Sequence, residues 1–265
     1  MTGGERQDDP ELPADLRDGG PVPHVEDAVV ECVLKADRYA ETARVRLADG
    51  TLAVWKRSVV VIPPGVRIAA AAHRLAAREA DHLERLIGVS GIPPLLGRPS
   101  PDVFLRRWIE GADLRQVNDV PDRLFPELRD LLAAVHAKGI AYADLAKEDN
   151  ILVEDAGEGH ADHHQPWLVD FQISVAEGTW AGGLVPLLQR ADRYHLARHV
   201  KRRRPDQLTD ADRRTIAAGK GLLSRLHRTL VKKPYNLLTR HLVRRWSGAG
   251  EGRRADEPRG MRDVR

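Results

Sequence analysis

The sequence predicts an α+β fold in which a small antiparallel sheet with one helix precedes a mainly helical part. Short apolar stretches come first, and Asp49-Gly50 between two of them is a strong signal for a β-hairpin. Stretches rich in alanine and leucine, with apolar residues at helical spacing, follow. With 265 residues, 42% of them hydrophobic and 31% charged, the chain can bury a sizeable core as one two-lobed unit or as two small domains.

The composition excludes several classes of protein. No apolar run approaches the length of a membrane span, and the acidic N-terminus lacks the pattern of a signal peptide. Cys32 is the single cysteine, which excludes an internal disulfide and is typical of the reducing cytoplasm. Residues 1–24 and 248–265 are rich in glycine, proline and charge, so we predict disordered tails at both ends.

Three strands are expected at the start of the ordered region. They are Val29–Leu34, Thr42–Leu47 and Thr51–Lys56. In the third strand, the period of two places Leu52, Val54 and Lys56 on one face. The turn before the second strand, Lys35–Glu41, contains no glycine.

A helix is predicted from Ala69 to about Leu86, and it carries a carboxylate on its apolar side. Leu75, Glu79 and Leu83 share one stripe, whereas Glu84 lies nearly opposite and should be solvated. An unpaired charge on a buried face is costly, so Glu79 needs a cationic partner. Lys56 is the natural one.

The stretch Tyr142–Val153 combines polar side chains with the start of a strand. Downstream, Leu168–Gln172 combines a second apolar pair with a carboxylate, Asp170. A hairpin between the two apolar segments would bring Asn150 and Asp170 together. Amide and carboxylate oxygens suit Mg²⁺ that also contacts substrate phosphates. Asp144, just upstream, could then accept a proton from an attacking hydroxyl.

These residues, in this order, resemble the catalytic loop and metal-binding motif of the protein-kinase-like superfamily. The resemblance covers roughly residues 29–200 and implies a two-lobed fold, with an N-lobe at 25–109 and a reduced helical C-lobe at 110–247. Asp102–Ile109 would be a strand leading into the hinge, whose backbone meets adenine. The helix from Pro126 to Lys138 would precede the catalytic loop, with His136 in a structural role and Asp192 anchoring the loop.

The resemblance also implies an activity, transfer of the ATP γ-phosphoryl group to a hydroxyl with Mg²⁺, as in serine/threonine kinases. The implied nucleotide-binding residues are Val54, Lys56 and Glu79, with Lys56 on the α- and β-phosphates. Asn150 and Asp170 would hold Mg²⁺. Asp144 would be the catalytic base, and Lys147 would neutralise the γ-phosphate.

Departures from the usual motifs indicate an atypical bacterial member, similar to RIO-type and lipopolysaccharide-kinase-like proteins. Four residues, rather than three, separate Asp144-Leu145 from Asn150, which leaves the register of Lys147 open. Gln172 replaces the glycine that usually follows Asp-Phe. Ala143 stands where many kinases have the arginine that binds a phosphorylated activation loop, so we expect activity without phosphorylation of Thr179.

Other functions stay open at this point. The missing glycine loop and Gln172 favour a catalytically weak pseudokinase that binds nucleotide as a scaffold, and a sugar or lipid kinase is a further alternative. The acceptor could be a protein serine or threonine, a sugar, a lipid head group or a small metabolite. In the loop after Glu154, His160, Asp162, His163 and His164 could bind Zn²⁺ or Ni²⁺ or form a solvated tip.

The C-terminal third is strongly basic, beginning with Arg198 and Lys201–Arg204. Two amphipathic stripes follow, Leu222 to Leu230 and Leu238 to Trp246, separated by Pro234. They would complete the C-lobe core or bind an anionic membrane surface or acidic glycolipid, at the inner face of the membrane. Nucleic acid is not expected, because no reading motif accompanies the charge.

Overall fold

A computed structural model describes residues 15–37, 39–62, 66–154 and 165–219. The chain divides into two units, Met1–Lys220 and Gly221–Arg265, and all described residues belong to the first. The predicted tail 248–265, the amphipathic stripes after residue 221 and the histidine-containing loop at 160–164 lie outside the described residues.

The N-terminal part is built on a five-stranded antiparallel sheet. Five strands form this sheet: β1 (Val29–Ala36), β2 (Ala40–Arg46), β3 (Leu52–Ser58), β6 (Leu95–Ser100) and β7 (Val103–Arg107). Two further short strands, β4 (Val61–Ile62) and β5 (Val66–Arg67), lie between β3 and β6 in the chain. The sheet has the order β1-β2-β3-β7-β6, and β4 pairs with β5 alone. The turn at Asp49-Gly50 joins β2 to β3 as predicted, with Arg46 opposite Leu52.

Helix α1 (Ala69–Arg85) packs on this sheet and ends one residue before the predicted limit. Its buried side includes Ala72, Ala76 and Leu83 together with Glu79, which is 1% exposed. Glu84 is exposed and pairs with Arg98 at 2.9 Å, as its place on the opposite face predicts.

The C-terminal part contains two long helices and two short sheets. Its elements are β8 (Gly111–Asp113), α2 (Leu124–Ala137), β9 (Ile140–Ala141), a 3₁₀ turn (Glu148–Asn150), β10 (Ile151–Glu154), β11 (Pro166–Leu168), β12 (Val175–Ala176) and α3 (Val185–Arg203). The predicted hairpin is present: β10 pairs with β11, and β8 pairs with β10 on its other side. Residues 210–219 are also helical.

One apolar core joins α1 to the C-terminal elements. Phe104 from β7 packs with α1 residues such as Leu83 and with Leu128 and Leu132 of α2. Tyr142 and Phe171, which flank the polar residues of interest, belong to the same core and are both 0% exposed. The polar residues between Tyr142 and Phe171 are therefore held in place by core packing on both sides.

Residues 15–24, before β1, are packed, which corrects that part of the disordered tail predicted over residues 1–24. Leu16 and Val22 join a second core with Trp55 on the outer face of the sheet. Backbone hydrogen bonds from Gly19 N to Val30 O (2.8 Å) and from Val22 N to Ala28 O (3.1 Å) hold the segment in place. The few apolar residues of this stretch are sufficient because the sheet supplies the rest of the core. Residues 1–14 are outside the described part.

The basic run at the end of α3 is largely engaged with the protein itself. Arg203 donates to Leu114 O at 3.0 Å, Arg204 donates to Val120 O at 2.8 Å, and Arg202 pairs with Glu148. These arginines therefore tie α3 to neighbouring loops. Within the described ranges, no helix combines the length and apolar character needed to cross a membrane.

Candidate active site

The catalytic-loop candidates lie between β9 and β10, and Asp170 lies just after β11. The 3₁₀ turn ends at Asn150, directly before β10, and the β10–β11 pairing places Asp170 beside it. Val169 N donates to Asn150 O at 3.0 Å, so the two metal-ligand candidates are neighbours through the backbone. The expectation that a hairpin brings Asn150 and Asp170 together is confirmed.

Lys56 links the N-terminal sheet to both carboxylates. Its Nζ contacts the two Glu79 oxygens at 2.9 and 2.8 Å and Asp170 Oδ1 at 2.9 Å. The Lys56 and Glu79 side chains are 7% and 2% exposed, so the predicted ion pair is buried. Burial alone would lower the pKa of Lys56, but Glu79 and Asp170 outweigh it and raise that pKa. Lys56 in turn outweighs the burial of Asp170 and lowers the pKa of that carboxyl, which keeps it ionised.

Asp144 shares one of its oxygens between two neighbours. Lys147 Nζ contacts Asp144 Oδ2 at 2.7 Å, and Asn150 Nδ2 donates to the same oxygen at 2.9 Å. Burial raises the pKa of Asp144, while the bonds from Lys147 and Asn150 partly offset that rise. The Lys147 side chain is 61% exposed, so its ammonium reaches Asp144 from the solvent side.

The donor set fits Mg²⁺. Asn150 uses its amide nitrogen on Asp144, which leaves its oxygen for a cation, and Asp170 engages Lys56 through Oδ1 only. A carboxylate and an amide oxygen are the hard ligands that Mg²⁺ takes from a protein when phosphates and water complete its octahedron. Asn150 and Asp170 are thus suited to the ion.

Two residues of the site adopt left-handed backbone conformations. They are Ala143 (φ 67°) and Asp170 (φ 64°), and non-glycine residues pay of order 1 kcal/mol or more for that region. Asp192 of α3 offsets the cost at Ala143, because its carboxylate accepts hydrogen bonds from Tyr142 N and Ala143 N, both at 2.8 Å. The anchoring role expected for Asp192 is confirmed. His136 Nε2 lies 3.0 Å from Asp192 Oδ2, in the structural position predicted for it.

Gln172 does not require the freedom of glycine. It has no positive φ; the left-handed residue of the motif is Asp170, two positions earlier. Its carbonyl accepts a hydrogen bond from Arg78 of α1. The change from glycine to glutamine is therefore compatible with the backbone at this position.

The longer catalytic loop is braced from α3 by residues that sequence reasoning missed. His199 is 4% exposed, and its Nε2 lies 2.7 Å from Leu145 O. Arg202 pairs with Glu148, one of the four residues between Leu145 and Asn150. His199 lies seven residues after Asp192, two turns along the same face of α3, and that spacing is the signal that could have identified it.

The glycine-free turn between β1 and β2 is closed by its own carboxylate. Asp37 Oδ1 accepts from Tyr39 N at 2.8 Å and from Ala40 N at 2.9 Å, and Lys35 pairs with its Oδ2 at 2.7 Å. These bonds, with Lys35, outweigh partial burial and lower the pKa of Asp37. The amides of Tyr39 and Ala40 are therefore satisfied within the turn, whereas a glycine-rich turn would offer its amides to phosphate.

Helix α1 is also fastened to the segment that follows Asp170. Arg78 donates to Gln172 O, and Arg85 Nη1 donates to Glu177 O at 3.2 Å. Between them, burial lowers the pKa of His82, and a hydrogen bond with the backbone of Phe171 opposes that shift. We call the two hydrogen bonds that Arg78 and Arg85 donate to these carbonyls the α1 seam. Residue spacing on α1 does not indicate these bonds, because their acceptors are backbone carbonyls distant in sequence.

On the side of Lys56 that leads to the predicted hinge, β3 pairs with β7. Val54 is 1% exposed and lies opposite Arg106 in the β3–β7 ladder, two residues from Lys56. Leu152 of β10 is partly exposed. Gly111 begins β8 at φ 153°, where an added Cβ would collide with Val153 O, so the connection after the predicted hinge passes close to β10.

No protein-family model and no curated protein sequence matches the chain. Solved structures with a similar fold include the Rio2 kinase from Chaetomium thermophilum, with a TM-score of 0.53 and 18% identity over 84% of this chain and 74% of that one. The complex of a Rio2 kinase from the same organism with ADP, Mg²⁺ and phosphoaspartate gives a TM-score of 0.54 and 18% identity, over 83% and 72% of the two chains. The predicted protein-kinase-like fold, with its similarity to RIO-type kinases, is confirmed.

Proposed function

We propose that this protein is an ATP- and Mg²⁺-dependent phosphotransferase that transfers the γ-phosphoryl group to a hydroxyl acceptor. The observation that carries the proposal is the contact of Lys56 with both Glu79 and Asp170, within a fold that also brings Asp144 beside Asn150. The solved complex of a protein of similar fold with ADP and Mg²⁺ supports the choice of nucleotide and ion.

Positioning and charge neutralisation would supply most of the catalysis, as is usual for phosphoryl transfer. Lys56, held by Glu79, would bind the α- and β-phosphates. Asn150 and Asp170 would hold Mg²⁺, which supplies positive charge to the β- and γ-phosphate oxygens. Lys147 lies on the solvent side of Asp144 and would reach the γ-phosphoryl group.

Asp144 would orient the acceptor and take its proton. Lys147 and Asn150 both engage Oδ2, so Oδ1 is the oxygen left to face a hydroxyl. Its raised pKa moves it toward the range in which a base is effective near neutral pH. Whether the hydroxyl belongs to a protein serine or threonine, a sugar, a lipid or a metabolite is the question for the turnover assay.

A second candidate function is a nucleotide-binding scaffold with little activity. The specific observation in its favour is the turn closed by Asp37, which withdraws backbone amides from phosphate binding and adds a negative charge there. Docking on an anionic surface through the basic stretch after residue 220 would belong to either function.

The experiment is a thermal-shift measurement with Mg²⁺ and ATP or ADP, followed by ATP turnover with candidate acceptors. Ligand at one hundred times its Kd stabilises a folded protein by about 2.7 kcal/mol. We expect Asp170→Ala to abolish the Mg²⁺-dependent part of the shift, because it removes the main anionic ligand. Asp149→Ala, an exposed carboxylate paired with Arg115 at 3.3 Å, is the matched control and should keep the shift. An equally large, equally Mg²⁺-dependent shift in Asp170→Ala would contradict the assignment, and a shift without turnover would favour the scaffold.

A further inference from the structure

Arg106 is a cation two residues along β7 from the partner of Lys56, and the proposed chemistry gives it no role. It is the β7 residue opposite Val54, and Phe104, opposite Lys56, lies two residues earlier on the same face. Its side chain is half-buried, and burial lowers the pKa of Arg106 while Glu79 and Asp170 oppose that shift. An arginine stays protonated in such surroundings. The guanidinium is thus a fixed donor group near the carboxylates that flank Lys56.

The position of Arg106 fits the base of a nucleotide whose phosphates bind at Lys56, as the proposed function requires. The phosphates belong at Lys56 and Asp170, and a step of two residues along a strand covers about 7 Å. That distance separates phosphate from base in an extended nucleotide, so a base lying toward the connection after β7 would meet Val54 and Arg106.

The hydrogen bonds around Arg106 disfavour an amino group at that place. Its Nη1 donates to Arg107 O at 3.3 Å. Arg107 N and Trp108 N donate to Pro94 O (2.9 Å) and Leu52 O (3.1 Å). A guanidinium has five N–H donors and no acceptor. Arg107 O, the carbonyl that could accept a hydrogen bond from the exocyclic amino group of a base, therefore already accepts one from the Arg106 guanidinium.

We propose, resting on the proposed function, that Arg106 reads the base and makes the site accept a 6-oxopurine nucleotide, guanine or hypoxanthine, at least as well as adenine. Guanine presents two acceptors side by side, O6 and N7, and arginine binds that pair with two hydrogen bonds. Adenine presents N7 beside the N6 amino group, which places donor against donor. The phosphate donor of the enzyme would then be GTP as well as ATP.

The test compares the Kd of the Mg²⁺ complexes of ADP, GDP and IDP by calorimetric titration. The wild-type protein should bind GDP and IDP as tightly as ADP or more tightly. Arg106→Leu should raise the ratio of the GDP Kd to the ADP Kd by about tenfold, the usual loss when a bidentate contact to a base is removed. Arg107→Leu is the matched control: it removes an exposed neighbouring guanidinium, which packs on Trp167, and should leave the ratio unchanged.

Arg106→Gln is the second variant, in case the leucine variant does not fold. A glutamine amide offers one donor and one acceptor edge, so it should move the ratio toward adenine. Two results would overturn the role of Arg106 and leave the proposed function standing. One is wild-type protein that binds ADP more than tenfold tighter than GDP. The other is a ratio of the GDP Kd to the ADP Kd that neither Arg106→Leu nor Arg106→Gln changes. Failure of the wild-type protein to bind any of the three diphosphates with Mg²⁺ would overturn both.

Discussion

At the scale of single residues, Asp144 shows how neighbouring groups determine which chemical role suits a carboxylate. Lys147 and Asn150 both contact Oδ2, which fixes the side chain and leaves Oδ1 outside these two contacts. Asp170 lies in the opposite electrostatic setting, since Lys56 lowers its pKa and burial raises that of Asp144. One carboxylate is therefore suited to a cation and the other to a proton.

Replacing Asp144 by asparagine tests the assignment of the base. Asparagine keeps the size of the side chain but cannot take the proton, so we expect turnover to fall by about 10²-fold or more. Mg²⁺–ADP binding and the thermal midpoint without ligand should stay close to wild type. Steady-state ATP turnover beside a thermal-shift titration measures both, and undiminished turnover would remove Asp144 from the mechanism.

The acidic side of the pH–rate profile should report the same carboxylate. Asp144 must be ionised to act, and burial raises its pKa above 3.8, so activity should fall as the pH drops through that raised value. Lys147→Met removes the cation that favours the carboxylate, so the acidic limb of kcat/KM should move to higher pH. Lys138→Met, an exposed lysine outside the loop, is the control. A limb that stays in place or moves to lower pH in Lys147→Met would disagree with this electrostatic account.

Residue spacing was enough to predict part of the site. Lys56 and Glu79 could be paired because strand and helix periods each place them on an inward face, and Asp144, Asn150 and Asp170 follow a recognisable order. Arg78, Asp37 and Arg106 could not be identified in this way, because their partners are backbone groups or residues distant in sequence. A pattern in one segment indicates its buried face but not which distant carbonyl meets an arginine.

At the scale of elements, α1 is the member that connects the two halves of the site. Glu79 on its buried side holds Lys56, and the α1 seam holds the segment after Asp170. A cation near Thr179 was not visible locally in the sequence, yet Arg85 reaches Glu177, two residues before it. Thr179 Oγ1 meanwhile donates to Ala176 O at 2.7 Å. The segment is therefore ordered without a phosphate.

Phosphorylation of Thr179 should consequently be dispensable. We expect phosphatase-treated protein and Thr179→Ala to turn over ATP at the rate of mock-treated wild type, because the α1 seam already supplies the contacts that a phosphate would otherwise create. Activity that is lost on dephosphorylation and regained on rephosphorylation at Thr179 would refute this.

Arg78→Leu provides the positive control for that experiment. Removing the donor to Gln172 O should lower turnover and speed amide exchange across residues 171–177. Arg74→Leu, an exposed arginine one turn earlier on α1, should change neither. Together the Arg78→Leu and Arg74→Leu variants show whether the turnover assay detects loosening of residues 171–177.

At the scale of the whole molecule, the segment before β1 is a structural part of the fold. Sequence composition suggested a tail through residue 24, because glycine, proline and acidic residues dominate it. Leu16 and Val22 are nevertheless 0% and 3% exposed, and Trp55 Nε1 donates to Pro23 O at 3.1 Å. Composition is averaged over many residues, so it does not reveal that Leu16 and Val22 pack against the sheet, whose residues lie elsewhere in the chain.

Leu16→Ala should therefore destabilise the protein. Truncating a fully buried leucine costs about 2–5 kcal/mol, through lost burial and the cavity left behind. Leu34→Ala, on β1 but 45% exposed, should stay within about 0.5 kcal/mol. Denaturant unfolding of the two variants makes the comparison, and equal midpoints for Leu16→Ala and wild type would mean that this segment adds nothing to stability.

The α1 seam also bears on inhibitor chemistry. Compounds that require Phe171 to leave its place would have to pull it from a fully buried position, 5.0 Å edge-to-face from Tyr142, and break the α1 seam at the same time. Compounds that bind beside Val54 and Arg106, where we propose that the base lies, would meet neither cost. A search for small-molecule ligands should accordingly favour flat heterocycles with adjacent hydrogen-bond acceptors over scaffolds designed for a displaced phenylalanine.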